Sequence, residues 1–290
     1  MVNNFFEIDE NFESIIDKSL KDVMGVSLIS SIEPIYTGWT NIVYKVSADN
    51  GNYYLRFPRD EFWIRTIVKD YQFASFINGK TSFQTVDLKL ASDNGRPFSI
   101  HREFEGASLA EKIQKMGDNE VLGISRELAK FMFELHNVKF DKNEIFTIDN
   151  IGLELNDFIT ELLDKHVSDE DREFWKSNNF GFSGDKCLVH GDLNLSNVIL
   201  DNDNHICAVI DFGFAGFGNK YFDLARVLSR DYPPVFRDYI INSYEQLEGA
   251  SLDISELDKN INTWKKSEVF RDEASGYMNY MIKIGIYEKE

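Results

Sequence analysis

The hydrophobic period of this chain changes at Glu105-Gly106-Ala107-Ser108, and that change sets what it can fold into. Ahead of it, VSLISSIEPIYTG, NIVYKVSAD and NYYLRFP fill residues 26 to 58 with strand-like patterns, and VDLKLAS and RPFSIHREF add two more. Asp49-Asn50-Gly51 and Asp93-Asn94-Gly95 stand at two of the junctions, where Asn-Gly supplies the left-handed residues of a type I′ hairpin. Helical spacing marks residues 8 to 24, through Phe12, Ile15, Ile16, Leu20 and Val23. It marks residues 61 to 78 as well, where Ile64, Ile67, Val68, Tyr71, Ala74 and Phe76 lie largely on one side. Past the linker, SLAEKIQKM, VLGISRELAKFMFELHNV, NDFITELLDKHV and DEDREFWKSN read as helices, and only LVH with VIL and ICAVIDF read as short strands. These strands join through the polar turn Asp201-Asn202-Asp203-Asn204. The pattern predicts an α+β chain of two lobes: residues 1–104 with a five-stranded antiparallel sheet and an inserted helix, and residues 105–290, mainly helical.

Composition narrows the partners. The 290 residues carry 31 Lys plus Arg against 49 Asp plus Glu, a formal charge of −18, so the basic face that a nucleic-acid binder needs is missing. The start, MVNNFFEIDENF, lacks a basic region followed by an apolar run, and no apolar stretch nears the roughly 18 residues that span a bilayer. The expectation is a cytoplasmic monomer without a membrane or nucleic-acid partner. Cys187 and Cys207 sit in apolar segments and read as small core side chains in a reducing compartment.

The chemistry concentrates in residues 190 to 223. His190-Gly191-Asp192-Leu193-Asn194-Leu195-Ser196-Asn197 spells H-x-D-x-x-x-x-N, and 14 residues past that Asn stands Asp211-Phe212-Gly213, after an apolar strand. Phosphoryl transfer needs a carboxylate to orient the attacking hydroxyl and accept its proton, which Asp192 on a tight loop can do. It also needs metal ions against the phosphate charge, and Asn197 and Asp211 offer the hard oxygens that Mg²⁺ takes. Singly each residue has a bland reading, as a loop-ordering histidine or a turn-capping aspartate; the joint spacing is what carries the chemistry.

With these motifs the chain resembles the protein-kinase-like superfamily and, within it, the aminoglycoside phosphotransferase family. LVHGDLNLSNVIL is similar to that family's catalytic loop, with HGD in place of the protein kinases' HRD. VIDFGFAGFGNKYFDLARV resembles its metal-binding segment with the following Asp223-Leu224-Ala225, and LAKFMFELHNV resembles its helix ending in Leu135-His136. The resemblance implies a protein-kinase-like two-lobed fold, Asp192 as catalytic base, Asn197 and Asp211 as Mg²⁺ ligands, and Asp223 as a structural buttress. Gly218-Asn219-Lys220 departs from the family's usual Gly-Asp-Pro ahead of that buttress.

For the nucleotide, ATP or GTP, the resemblance points to the first lobe. Gly38, Thr40 and Asn41 in TGWTNIVYKV fall at the turn over the phosphates. Arg56 in NYYLRFPR stands at the place usually held by Lys, with Asp70 as its partner where Glu is usual. The base would dock on main-chain groups of Ile100 to Phe104, a stretch that includes Arg102 and Phe104. The acceptor is expected to be a small, cationic molecule, an aminoglycoside first. Glu245, Glu248, Asp253, Glu256, Asp258, Glu268, Asp272 and Glu273 form an acidic run that reads equally well as a solvated face. Macrolide and small-metabolite (choline-like or sugar) kinases are the alternatives, and so is a kinase-like module that binds nucleotide without catalysis.

Overall fold

A computed structural model describes residues 12–35, 40–59, 61–139, 186–230 and 232–273, of which 266–273 are described by their backbone alone. Helix α1 (Phe12–Met24) opens the described chain. Five strands follow: β1 (Ile29–Ile35), β2 (Asn41–Ala48), β3 (Gly51–Pro58), β4 (Lys89–Asp93) and β5 (Arg96–Arg102). They form one antiparallel sheet in the order β1-β2-β3-β5-β4. Between β3 and β4 a short 3₁₀ turn leads into α2 (Ile64–Ile77). Side chains alternate across the sheet. Tyr44, Val46, Tyr53, Leu55, Phe57, Phe98 and Ile100 pack with Phe12, Ile16 and Leu20 of α1, while Val43, Tyr54, Arg56 and His101 face a cleft.

The two Asn-Gly junctions differ. In the β4–β5 hairpin Asp93 pairs with Arg96, and Asn94 (φ 48°) and Gly95 (φ 79°) are both left-handed, as a type I′ turn requires. In the β2–β3 hairpin Ala48 pairs with Gly51, so Asp49 and Asn50 make the turn, and only Gly51 has positive φ (136°). The type I′ expectation fails there. Asn50 is held instead by its own amide, which donates to the Met24 carbonyl and accepts from the Tyr53 hydroxyl.

The inward face of α2 is also turned from the one its apolar spacing predicts. Thr66, Ile67, Lys69, Asp70, Phe73, Ala74 and Ile77 are buried, whereas Ile64, Val68, Tyr71 and Phe76 are only partly so. Buried electrostatics at Asp70 override the apolar stripe.

The second lobe begins with β6 (Ala107–Ser108), α3 (Leu109–Lys112) and α4 (Asp118–His136). The expected linker is thus itself a two-residue strand. Gly106 precedes it at φ 154°, where a Cβ would stand 2.1 Å from the Leu200 carbonyl oxygen. The helices expected at 156–167 and 169–178, and the start of the one expected at 8–24, lie outside the described residues. Next come β7 (Cys187–Val189), β8 (Val198–Leu200), β9 (Ile206–Val209) and β10 (Gly216–Gly218). Strand β7 pairs with β10 rather than with β8, which lies between β6 and β9. The glycines of Gly216-Phe217-Gly218 hide β10 from a propensity reading. Helices α5 (Lys220–Val227), α6 (Pro234–Glu248) and α7 (Ile254–Glu273) complete the described chain, with α6 on α4 and α7 on α5. One apolar cluster joins Phe73, Ala74 and Ile77 of α2 to Leu128, Met132 and Leu135 of α4 and to Phe212 and Leu224, so the site lies over a shared core.

Candidate active site

Residues 190–197 form a loop whose shape is imposed from below. The Asp223 carboxylate, fully buried, accepts from the backbone amides of His190 (2.7 Å) and Gly191 (3.0 Å) and from His136 Nε2 (3.2 Å). His136 Nδ1 meets the Tyr244 hydroxyl at 2.8 Å. A carboxylate receiving several donors is a strong anchor in a low-dielectric interior. Gly191 is at φ 81°, and a Cβ there would lie 2.1 Å from the Phe214 carbonyl oxygen. Only glycine fits, for both backbone and spatial reasons.

His190 takes one tautomer from its partners: Nε2–H donates to the Ile210 carbonyl (3.0 Å) and Nδ1 accepts from the Asp192 amide (3.3 Å). It orders the loop; its ring also packs on Phe212, 4.5 Å between centroids. The Asp192 carbonyl accepts from the Asn194 amide (2.8 Å) and from Asn197 Nδ2 (2.9 Å). The Asp192 carboxylate is left at the cleft, with Oδ1 accepting from Arg226 Nε at 2.8 Å.

Across the cleft, Asp211 begins a 3₁₀ turn in the left-handed region (φ 68°, ψ 62°), an uncommon conformation for a non-glycine residue and one that clusters at functional sites. Arg56 reaches from β3 with both arms, Nη1 to Asp70 Oδ2 (2.5 Å) and Nη2 to Asp211 Oδ1 (2.8 Å). Asp70 Oδ1 accepts from the Phe212 amide (2.8 Å), so α2, β3 and the Asp211 turn are tied by one chain of charge. Burial pushes the Asp70 carboxyl up to about 6 against the pull of Arg56, while Arg56 outweighs burial at Asp211 and holds its carboxyl below the usual range. Both carboxylates raise the Arg56 guanidinium further above its ordinary value, although burial opposes them.

These groups line a cavity of about 660 Å³, within the roughly 300–1,000 Å³ of small-molecule sites. The structure brings Thr40, Asn41, Arg56, Asp70, Phe104, Asp192 and Asp211 into its wall. Asn197 lies just beneath it, tied to Asp192. Gly38 falls outside the described residues. The Arg102 side chain is turned away: its guanidinium bonds the Tyr53 hydroxyl (3.1 Å) on the opposite face of the sheet, so Arg102 offers the cleft at most its backbone. Burial lowers the His101 imidazole to about 4, so it is neutral, with Nδ1 on the Arg102 carbonyl (3.0 Å). Glu103 accepts from Lys45, Tyr54 and Asn52 at 2.7–3.0 Å. The His101, Glu103, Tyr54 and Arg226 side chains were invisible to motif reasoning, since each belongs to the site through its strand face or a distant partner.

Asn197 and Asp211 offer the hard oxygens that a divalent cation would take, and such an ion would offset charge on a bound phosphate. The Asn197 amide is oriented by its Nδ2 bond, which leaves Oδ1 for another partner, and the Asp211 carboxylate is 34% exposed. Mg²⁺ typically uses one or two such protein oxygens and completes its shell with phosphate and water. Among the described residues no cluster of three or more His, Cys, Asp or Glu forms a closed metal cage.

The described part of the acidic run serves local structure. Glu245 accepts from the Leu252 amide, Glu248 pairs with Lys220, Asp253 accepts from the Glu256 amide, and Asp258 pairs with Arg237. Glu256 bonds Asn260 and lies 3.7 Å from Lys259. None of the five lines the cavity. The side chains of Glu268, Asp272 and Glu273 lie outside the described residues.

A five-stranded antiparallel lobe with one inserted helix, a mainly helical second lobe and this cleft define a protein-kinase-like α+β fold. The chain belongs to the phosphotransferase enzyme family, whose model matches residues 31–254. It is similar to an Escherichia coli aminoglycoside 3′-phosphotransferase, 25% identical over 185 residues, 59% of this chain and 56% of the relative. It thus spans just over half the length of that relative. Among solved structures, the GDP complex of aminoglycoside 2′-phosphotransferase-IIIa aligns with a TM-score of 0.67 at 15% identity, covering 95% of this chain and 97% of the other. The ADP-bound aminoglycoside phosphotransferase APH(2'')-Ib gives 0.62 at 20% identity, covering 96% and 93%. The macrolide 2′-phosphotransferase MphH of Brachybacterium faecium gives 0.60 at 14%, covering 97% and 100%. Among the described residues no helix is long and apolar enough to cross a membrane.

Proposed function

We propose that this protein is a small-molecule kinase that transfers the γ-phosphate of ATP or GTP to a hydroxyl group of an aminoglycoside. The observation that carries this reading is the placement of Asp192 and Asp211 on facing walls of one cleft, with Arg56 spanning Asp70 and Asp211. Arg56, Thr40, Asn41 and Phe104 line the nucleotide side, and Asn197 with Asp211 would hold Mg²⁺. When bound, the ion offsets charge on the phosphate oxygens.

Asp192 Oδ2 receives the proton of the acceptor hydroxyl as its oxygen bonds to the γ-phosphorus. The bond from that phosphorus to the bridging oxygen breaks, and its electron pair leaves on the nucleoside diphosphate. The held Oδ1 and the fixed loop backbone place the carboxylate in advance, which is the larger part of catalysis for a reaction that depends on positioning. An intact set of this kind also separates the protein from a non-catalytic nucleotide-binding module.

The choice of acceptor rests on kinship and on the chain's net charge of −18, since aminoglycosides carry several ammonium groups. The test is a phosphate-transfer screen with ATP and GTP over aminoglycosides, macrolides and hydroxylated metabolites. Aminoglycoside turnover with a KM that rises with ionic strength is expected. Turnover of a macrolide with a flat salt dependence would overturn the choice.

A further inference from the structure

We propose that Arg226 is a positioning residue for phosphoryl transfer: it clamps Asp192 Oδ1 and so presents Oδ2 to the acceptor hydroxyl. The inference rests on the reading of Asp192 as the carboxylate that meets the acceptor.

Arg226 stands in α5 three residues past Asp223, so a single helical turn holds both the anchor of the loop backbone and the clamp of its reactive carboxylate. Its side chain is 3% exposed, and Nε lies 2.8 Å from Asp192 Oδ1. The guanidinium carbon sits 4.6 Å from the centre of the Trp264 ring, on α7. Trp264 is itself buried and braced edge-on by Phe222, 5.1 Å between centroids. A guanidinium held over an indole face and 3% exposed has little room to turn, and its Nε–H is already committed to Asp192 Oδ1. A lysine could satisfy the charge at this place without that restraint.

The arrangement divides the labour of the Asp192 carboxylate. One oxygen is occupied by a buried donor, and the other is left for the acceptor. A free carboxylate rotates about its Cβ–Cγ bond and presents either oxygen; one bonded through Oδ1 to an immobile donor presents Oδ2 in one direction. Misplacement of a reacting group by about 1 Å can lower a rate by about 10²-fold without a change in ground-state binding. Trp264 extends the same restraint into α7, so packing in the helical lobe bears on the reacting carboxylate.

Chemical rescue tests this. Arg226→Ala is assayed with ATP or GTP and kanamycin as acceptor probe, and in its absence with water as acceptor, with and without added guanidinium ion at non-denaturing concentration. The expected result is a fall in kcat of about 10²-fold with nucleotide KM within about two-fold of wild type. Guanidinium should restore kcat at least ten-fold in Arg226→Ala and not at all in Asp192→Asn. Wild-type kcat in Arg226→Ala, or a folded variant with kcat lowered and no rescue, overturns the clamp. If Arg226→Ala does not fold, Arg226→Lys decides: wild-type melting with reduced kcat and unchanged nucleotide KM supports the clamp, and wild-type kcat overturns it. Retention of full kcat in Asp192→Asn would instead defeat the underlying assignment of Asp192, and the two failures are told apart by which variant keeps its rate.

Discussion

The two walls of the cleft are built on different principles. The loop that carries Asp192 hangs from a single buried carboxylate, Asp223, through backbone amides, and is kept narrow by Gly191 against Phe214. The facing wall, to which the proposal assigns the nucleotide, is held by side chains: Arg56 between Asp70 and Asp211, and Glu103 among Lys45, Tyr54 and Asn52. Backbone anchoring fixes a reactive group by fixing the fold itself. Side-chain anchoring leaves a wall that can exchange one ion partner for a phosphate. Changes on the first side should therefore damage folding and rate together, and changes on the second should act mainly on nucleotide affinity.

The sharpest break is Asp223→Ala. It strands two buried amides and His136, and should destabilise the protein by about 3–5 kcal/mol, as expected for removal of one member of a buried charged network. Urea unfolding measures it. A loss below about 1 kcal/mol would mean that the loop stands without its anchor.

On the sheet side of the cleft, His101 makes stability depend on pH. Its folded value, about 4, is below the ordinary 6.5, so the unfolded chain takes up the proton first as pH falls. The contribution is fully present above pH 6.5 and is lost progressively as pH drops through 4. At about 1.36 kcal/mol per pKa unit it amounts to roughly 3–4 kcal/mol at most. The difference in melting free energy between wild type and His101→Gln should shrink over that window. A difference independent of pH would mean that His101 is not buried neutral.

The smallest effect sharpens the comparison. Arg56→Lys keeps one arm and loses the other, so its loss of nucleotide affinity should be only partly recovered by Asp70→Glu. A coupling of about 0.5–3 kcal/mol is expected in the double-mutant cycle, since the pair is in direct contact. Additive substitutions would show that Asp211, not Asp70, is the partner that matters to binding.

Legibility followed the same division. The five strands of the first lobe and helices α1, α2 and α4 are written in apolar periods, and the Asp192, Asn197 and Asp211 spacing is written in the chain itself. What escaped depends on tertiary context. The inward face of α2 is set by Asp70 meeting Arg56 rather than by its apolar stripe. Strand β10 exists because Gly216-Phe217-Gly218 finds Cys187-Leu188-Val189, which no local propensity announces. The turn at Asp49-Asn50 is decided by bonds from Asn50 to Met24 and Tyr53, so identical Asn-Gly pairs adopt different conformations. Arg226 reaches Asp192 across 34 positions, a separation at which a single sequence carries no signal.

The most direct measurement compares wild type with Asp192→Asn in nucleotide-dependent transfer, beside calorimetric nucleotide affinity for both proteins. A cleft in which Asp192 takes the proton of the acceptor predicts a fall in kcat of about 10²–10⁴-fold with nucleotide affinity nearly unchanged. Near wild-type kcat in the purified, folded variant would contradict it.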